Sequence, residues 1–352
     1  MRILQSTALA AILAAASLAA QAKTITVTLV NGHPPVFRWV KHLQQSFVPA
    51  VDKALEGSGI TVEWKQQYGG SLAKVGEELE AAQEGVADVA LVPTIFELSK
   101  MPLQNITYYT PFVSSDPGIV TKAVEDVQSK TPAMMQAWED NDVVYIGGGF
   151  ALDDYLLFTK FPVKSLDDLK GRKIGTPGPS INWVKGTGAV GVAGNLTEYY
   201  NALQTGLYDG VVTFATAALP AKIQEVAPYI TRIGYGAQYA GGIAVNKDWY
   251  EAQPKALQQA LAAGARQFGT AYLDDLRQAT KAALETLVKN GGVLNADSEA
   301  LGKAYAKVME NPARLWVTEL ERQKLPARQV LGSYMQEVKA AGAHPIRDWA
   351  SE

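Results

Sequence analysis

The chain has 352 residues, 47% of them hydrophobic, with 32 lysines and arginines against 35 aspartates and glutamates, a net charge of −3. This mildly acidic balance, without any basic run, argues against nucleic acid or an anionic lipid surface as a partner. The absence of cysteine excludes disulfides, thiolate metal sites, a thiol nucleophile and a lipid-linked cysteine. The length favours two lobes over one.

The first 22 residues are typical of a secretory signal. Arg2 is followed by an Ala/Leu-rich run at 7–19 and by the small-residue sequence Ala-Gln-Ala at 20–22, a pattern that predicts cleavage after Ala22. The apolar run is too short and too rich in alanine to favour a permanent membrane anchor. We therefore expect a protein exported to the periplasm.

Strand and helix patterns alternate in the first half of the chain. Apolar or alternating segments at 24–30, 60–66 and 88–92 predict strands, and helical periodicity occupies 37–55 and 74–85. This alternation is typical of a parallel α/β sheet.

The second half continues in the same way. Its predicted elements are helix 120–137, strands 143–149, 153–160, 173–176 and 210–214, and helix 197–204. From Pro254 to about Asn290 the sequence is rich in Ala, Leu, Gln, Lys and Glu, which predicts one helix long enough to underlie both lobes as a spine.

Motifs for cofactor or catalytic chemistry are weak. The glycines at 186–191 match G-x-G-x-x-G but follow a helix instead of a strand, and the S-x-x-K at 71–74 has no S-D-N or K-T-G partner. The three histidines, His33, His42 and His344, lie at no metal-binding spacing. We expect no cofactor, no metal and no enzymatic activity, and keep a periplasmic enzyme as the lower-ranked alternative.

Segments spread over the chain resemble the solute-binding proteins of tripartite ATP-independent periplasmic (TRAP) transporters. They are the opening strand with Asn31, Q-Y-G-G-S-L at 67–72, E-G-V-A-D-V at 84–89, D-L-K-G at 168–171 and A-L-Q-T-G-L-Y-D-G at 202–210. The resemblance implies a two-lobed α/β fold of the class II periplasmic-binding type, with hinge strands, a long spine helix and an interlobe cleft. It also implies a small-molecule ligand and, as partners, a small and a large membrane subunit.

The resemblance further implies how the chain divides between the lobes. Lobe I comprises 23–151 plus about 241–275, and lobe II comprises 152–240 plus about 276–352. A receptor that signals instead of transporting has the same sequence features, so both roles stay open.

The positions that are arginine in the family are uncharged here. The principal arginine falls on Gly175, and two others fall on Phe96 and Tyr155. Because a guanidinium holds a carboxylate by two parallel hydrogen bonds, their loss disfavours an ordinary carboxylate ligand. With Asp153 and Asp154 nearby, we predict a small amine or amino alcohol such as ethanolamine, held by carboxylate and aromatic faces. The alternative is that the two aspartates lie in a solvated turn and do not bind the ligand.

Two other ligand classes stay open. An organic acid would be held through Arg38, next to Trp39, or through backbone donors. A neutral or aromatic solute would use Trp183 and Tyr239 as further walls of the cleft.

The remaining candidate site residues follow strand ends. The resemblance implies cleft positions at Asn31, Thr213 and the adjacent Phe214. His33 lies in a stiff loop at the sheet edge where ligands of open α/β sheets bind. The alternative role of its side chain is to hydrogen bond that loop, and the sequence favours neither role over the other.

Overall fold

A computed structural model describes residues 23–295 and 298–352, so the predicted signal at 1–22 lies outside the described residues. Within these ranges the chain forms eleven strands. They are β1 (Lys23–Asn31), β2 (Ile60–Tyr68), β3 (Val89–Pro93), β4 (Val143–Leu152), β5 (Tyr155–Thr159), β6 (Lys173–Thr176), β7 (Val190–Ala193), β8 (Gly210–Phe214), β9 (Tyr229–Thr231), β10 (Gln238–Asn246) and β11 (Val293–Leu294).

The same ranges contain fourteen α-helices. They are α1 (Arg38–His42), α2 (Val48–Ala54), α3 (Glu78–Gln83), α4 (Ile106–Tyr109), α5 (Pro117–Lys130), α6 (Pro132–Glu139), α7 (Tyr199–Thr205), α8 (Ala215–Ala218), α9 (Ile223–Val226), α10 (Lys247–Glu251), α11 (Lys255–Lys289), α12 (Ser298–Val308), α13 (Pro312–Arg322) and α14 (Ala327–Ala340). A π-helical turn, Leu43–Phe47, joins α1 to α2.

The strands form two separate sheets. The first has the order β2-β1-β3-β10-β4 and the second β11-β9-β5-β8-β6-β7. In the first sheet β1 runs parallel to β2 and β3, whereas β10 is antiparallel to β3 and β4. The chain passes from the first sheet to the second directly after β4, returns to the first before β10, and passes to the second again between β10 and β11. This arrangement confirms the predicted two-lobed α/β fold.

The predicted spine helix is present as α11, and its first and last residues each lie within one residue of the predicted bounds. It packs against β4 and α2 on one side of the molecule and against α8 on the other. Its buried side chains recur every three or four residues, at Leu257, Leu261, Ala265, Phe268 and Tyr272, as a helix with one apolar face requires.

The sequence prediction assigns everything after about residue 276 to the second lobe. In the structure α12 packs near the one-turn helix Leu166–Leu169 of the second sheet's layer, but α14 packs on α5, which covers the first sheet. The chain therefore returns to the first layer at its C-terminal end. No helix among residues 23–295 and 298–352 is long and apolar enough to cross a membrane.

Candidate functional site

A cavity of about 40 Å³ lies between the two sheets. It is located at the carboxyl ends of parallel strands from both layers, which is where ligands of open α/β sheets bind. Residues just beyond β1 and β3 meet residues at the ends of β6 and β8. The lining side chains used below are His33, Trp39, Ile95, Phe96, Tyr108, Tyr155, Pro177, Tyr199, Thr213 and Phe214.

The cavity wall is mostly aromatic. Trp39 stacks on Phe37, with ring centroids 4.9 Å apart, and also contacts Phe214 at 6.1 Å. Tyr155 contacts Phe214 at 5.1 Å. Flat apolar surfaces of this kind suit a ring-bearing or otherwise compact apolar solute.

The loop after β1 is held by buried hydrogen bonds. The Asn31 side chain donates to the carbonyl of Leu91 at 2.9 Å and accepts from the backbone N–H of His33 at 3.0 Å. The carboxylate of Glu78 accepts from the backbone N–H of Gly32 at 2.8 Å. Asn31 therefore fixes the position of His33 and does not itself line the cavity.

Three buried polar atoms of the lining have no hydrogen-bond partner in the protein. They are His33 Nδ1, the Tyr199 hydroxyl and Thr213 Oγ1. An unpaired buried polar atom costs about 1–3 kcal/mol, so these three atoms offer hydrogen-bonding capacity that a solute can take up. These atoms are the polar part of the candidate site.

The lining carries no side chain that is charged at neutral pH. No lysine, arginine, aspartate or glutamate is among the residues that line this cavity in the described structure. Burial lowers the pKa of His33 to about 4, so its imidazole is neutral at pH 7. Recognition in the empty cavity thus depends on shape and on neutral polar groups.

The two aspartates considered for an amine lie outside the cavity lining. Asp153 accepts a 2.6 Å hydrogen bond from the Thr216 hydroxyl and a 3.2 Å bond from its backbone N–H. Asp154 accepts from the backbone N–H of Gly236 at 2.9 Å. Burial raises the pKa of both carboxyls to about 6. Both carboxylates stabilise the crossings between the sheets instead of facing the solute.

Arg38 also lies outside the lining, although its neighbour Trp39 contributes to it. Its guanidinium pairs with Asp275 of α11 at 2.5 Å, and His42 Nε2 is 3.0 Å from the same carboxylate oxygen. The side chain of Arg38 is 30% exposed. In this conformation Arg38 therefore attaches α1 to the long helix and supplies no charge to the cavity.

Gly175 faces the core of the second layer. A Cβ atom at this position would lie 2.7 Å from Cδ2 of Tyr208 and 3.1 Å from Cγ1 of Val211. The Tyr208 hydroxyl donates to the carbonyl of Ala193, which holds the ring against the glycine. The space beside Gly175, to which the resemblance assigns the principal arginine, is therefore filled by a tyrosine from a neighbouring loop.

The last two candidates lie behind or beside the cavity wall. Trp183 packs behind Tyr108 and Tyr155, and its indole N–H donates to the carbonyl of Tyr108 at 2.7 Å. Tyr239 donates its hydroxyl to Glu125 at 2.6 Å, away from the cavity.

Six of the thirteen predicted site residues thus line the cavity, namely His33, Trp39, Phe96, Tyr155, Thr213 and Phe214. The sequence interpretation missed Ile95, Tyr108, Pro177 and Tyr199. Ile95 and Pro177 follow the ends of β3 and β6, so the strand-end rule that selected His33 also applies to them. Tyr108 and Tyr199 belong to helices, and nothing in their local sequence marks them.

Comparison with known proteins gives two curated relatives that match part of the chain. A solute-binding protein of Albidiferax ferrireducens is 25% identical over 202 residues, which is 56% of this chain and 56% of that protein. The Salmonella typhimurium protein YiiZ is 28% identical over 175 residues, 47% of this chain and 52% of that protein. The chain therefore spans about half the length of the curated relatives it matches.

Solved structures resemble the fold over most of its length. A Bordetella pertussis extracytoplasmic solute receptor that binds pyroglutamic acid has a TM-score of 0.76 at 21% identity, covering 88% of this chain and 99% of that one. A TRAP solute-binding protein of Rhodoferax ferrireducens, with copurified benzoate, has a TM-score of 0.78 at 16% identity, covering 90% and 98%. A periplasmic TRAP protein of Bordetella bronchiseptica, with bound mandelate, has a TM-score of 0.76 at 22% identity, covering 90% and 99%.

The family comparison decides between receptor and enzyme. Residues 41–314 match the model of DctP, the bacterial extracellular solute-binding protein family 7. This match includes every described strand except β1, and every residue of the cavity lining except His33 and Trp39. The predicted resemblance and the solute-binding class are confirmed: the chain belongs to the bacterial extracellular solute-binding protein family 7.

Proposed function

We propose that this receptor captures a small, ring-bearing carboxylic acid in the periplasm and delivers it to the small and large membrane subunits of a TRAP transporter, after removal of residues 1–22 as a signal. One observation carries the choice of ligand. The cavity combines aromatic walls with three buried, unpartnered polar atoms, on His33, Tyr199 and Thr213. The rings accept the flat body of the solute, and the polar atoms meet its carboxyl group.

The chemistry of these three groups suits a carboxyl group. The hydroxyls of Tyr199 and Thr213 donate hydrogen bonds, and His33 Nδ1 donates when it bears the proton. Hydrogen bonds to an ionised acceptor are roughly twice as strong as bonds between neutral groups. Three such donors compensate part of the cost of taking the carboxylate out of water.

The same geometry argues against the predicted amine. The predicted amine was to be held by a carboxylate as well as by aromatic faces, but Asp153 and Asp154 are engaged with Thr216 and Gly236 and do not line the cavity. The organic-acid alternative fits better, though without Arg38, which pairs with Asp275. Acids are also the ligands of the similar receptors, which bind pyroglutamic acid, benzoate and mandelate.

A thermal-shift and calorimetric panel tests the proposal. The panel contains benzoate, mandelate and pyroglutamate as acids, with benzamide and ethanolamine as matched neutral and cationic compounds. A ligand at a hundredfold excess over its Kd stabilises the native state by about 2.7 kcal/mol, which raises Tm measurably. We expect at least one acid to raise Tm and ethanolamine to leave it unchanged. A shift with ethanolamine alone would overturn the proposal in favour of the amine.

The delivery step is tested separately in cells. Uptake of the acid identified in the panel should require the chain together with its two membrane subunits. The variant Thr213→Val should reduce uptake in proportion to its loss of affinity, because it alters the cavity and leaves the outer surface unchanged. Normal uptake in cells without the chain would contradict the receptor role.

A further inference from the structure

His33 is the one residue of the cavity lining that can carry a positive charge. It is 4% exposed, and its Nδ1 atom is buried without a hydrogen-bond partner. Its backbone N–H is held by Asn31 and its carbonyl accepts from the backbone N–H of Gly69 at 3.0 Å. The backbone of His33 is therefore held on both sides, and Nδ1 of its ring is available to a further partner.

Aromatic rings enclose the imidazole on the side of α1. The His33 ring lies 5.6 Å from Phe37 and 5.2 Å from Trp39, perpendicular to both. Neither ring offers a hydrogen bond to Nδ1. Since His33 also lines the cavity, a solute there can supply the partner that Nδ1 lacks.

The other titratable groups of this region lie on α1, α3, α4, α7, α11 and β5 and in the turn between β4 and β5. Glu78 at the start of α3 holds the His33 loop through the N–H groups of Gly32 and Gly76. Tyr108 and Tyr155 bond to each other, and Tyr199 lines the cavity with a free hydroxyl. On α1 itself, Arg38 pairs with Asp275 of α11, and Asp153 bonds to Thr216. None of these groups supplies a cation to the cavity.

We infer that His33 is the counter-ion of the bound acid: its imidazole is neutral in the empty cavity and becomes protonated when a carboxylate enters, so that binding takes up one proton. The inference rests on the proposed function, since it needs an acid as ligand. It follows from the lining, where a carboxylate meets two hydroxyls and one imidazole but no fixed cation. A buried carboxylate without a cationic partner is costly, and protonation of His33 supplies that partner within the cavity.

The expected pH dependence has a definite sign. Burial lowers the pKa of free His33 to about 4, and a carboxylate beside it raises the pKa in the complex. Between those two values each bound acid brings one proton with it. The Kd therefore increases tenfold for each unit of pH increase in this range, and binding is tighter in acid.

Nuclear magnetic resonance on histidine observes the proton directly. The chain has three histidines, so ¹⁵N-histidine labelling gives three ring systems, which His42→Gln and His344→Gln assign by elimination. At pH 7 we expect the two His33 nitrogens to have neutral imidazole shifts without ligand and imidazolium shifts when saturated with benzoate. Calorimetry in phosphate and in Tris, buffers with different ionisation enthalpies, should give an uptake of one proton for each acid bound.

Variants identify the group that takes the proton. In His33→Gln, which keeps a hydrogen-bonding side chain, proton uptake should fall to zero and Kd should lose its tenfold dependence on pH. In Glu78→Gln, which alters the buried carboxyl group bonded to Gly32 but not the imidazole, uptake should stay at one. The wild-type spectra decide the matter independently if His33→Gln does not fold.

Each contrary result has a distinct meaning. Binding of an acid with His33 still neutral would overturn the inference. If the proton uptake is then zero, the carboxylate binds without a counter-ion, and if it is one, another group takes the proton. Loss of the uptake in Glu78→Gln but not in His33→Gln would also overturn it. If no acid of the panel binds, the proposed function fails and the inference fails with it, a result that differs from binding without protonation of His33.

Discussion

The hydroxyl groups of Tyr108 and Tyr155 lie 3.2 Å apart and hydrogen bond to each other at the wall of the cavity. Tyr108 belongs to α4 in the layer of the first sheet, and Tyr155 opens β5 in the second sheet. Both side chains are almost completely buried, at 0% and 2% exposed. Their bond therefore joins the two lobes.

Removal of one of these hydroxyls should destabilise the protein more than removal of both. In Tyr155→Phe the Tyr108 hydroxyl stays buried without its partner, which should lower the free energy of unfolding by about 1–3 kcal/mol. The double variant Tyr108→Phe, Tyr155→Phe should cost less than the sum of the single variants. Urea denaturation of all four proteins measures this coupling. Strict additivity would show that the two hydroxyls do not interact.

The unpartnered hydroxyls of the cavity should behave in the opposite way. Thr213→Val and Tyr199→Phe each remove a buried hydroxyl without a hydrogen-bond partner, so the empty protein should become equally or more stable, by up to about 1 kcal/mol. Affinity for the acid should fall about tenfold in each, since one hydrogen bond to the carboxylate is lost. Denaturation and calorimetry measure the two effects.

Thr216→Val is the matched control for Thr213→Val. The Thr216 hydroxyl donates to Asp153 at 2.6 Å and does not line the cavity. This substitution should lower stability by about 1–3 kcal/mol and leave affinity nearly unchanged. If Thr213→Val lowered stability just as Thr216→Val does, the Thr213 hydroxyl would have a hydrogen-bond partner within the protein and would not be available to the solute.

Closure of the cleft should depend on Gly178. Its φ is +50°, and a Cβ there would lie 2.8 Å from both the carbonyl oxygen and Cγ1 of Ile95, which belongs to the opposite layer. Gly178→Ala should therefore keep the two lobes apart and weaken binding tenfold or more. Calorimetry measures the affinity, and small-angle scattering with saturating acid should give a larger radius of gyration than for the wild type.

Gly206→Ala separates this steric effect from backbone strain. Gly206 also has a positive φ, +81°, but a Cβ there meets no atom within 4 Å. It should cost stability, by about 1 kcal/mol, without affecting affinity. Equal losses of affinity in the two variants would mean that the contact of Gly178 with Ile95 is irrelevant to closure.

The fold was more predictable from the sequence than the site, and particular elements show why. The long helix was predicted almost to the residue because its propensity and periodicity are local properties. The predicted helix 120–137 is two helices in the structure, since Thr131 is extended before Pro132, which starts α6. Strand β10 was not predicted, because its pairing with β3 and β4 is set by contacts distant in sequence.

The site was predictable in part, from strand ends and from the family resemblance. The strand-end rule found His33 and the resemblance found Thr213, and both line the cavity. The aspartates adjacent to Tyr155 appear suitable for an amine in the sequence, but the partners that engage them, Thr216 and Gly236, are more than sixty residues away. A local sequence carries no information about such partners, so it could not show that these carboxylates are already engaged.

The pH dependence of stability should identify Asp153 as a buried carboxyl. Its side chain is 1% exposed, and burial raises its pKa to about 6, against about 3.9 in an unfolded chain. Between these values the native state binds the extra proton. The contribution to the free energy of unfolding is therefore complete below about pH 4 and is lost as the pH rises to about 6, with a slope of at most about 1.4 kcal/mol per pH unit.

Asp153→Asn removes this titration and keeps an oxygen that accepts from Thr216. Urea denaturation at pH 4, 5, 6 and 7 should show that the free energy of unfolding falls less steeply with pH than in the wild type. The difference in slope should be at most that contributed by one proton. Asp274→Asn, which removes a carboxylate from an exposed position of α11, is the control for the change in net charge. An unchanged slope in Asp153→Asn would mean that Asp153 is already ionised in the native protein at low pH. Loss of ligand affinity in this variant would show that the Asp153 carboxylate takes part in binding, and would support the amine hypothesis.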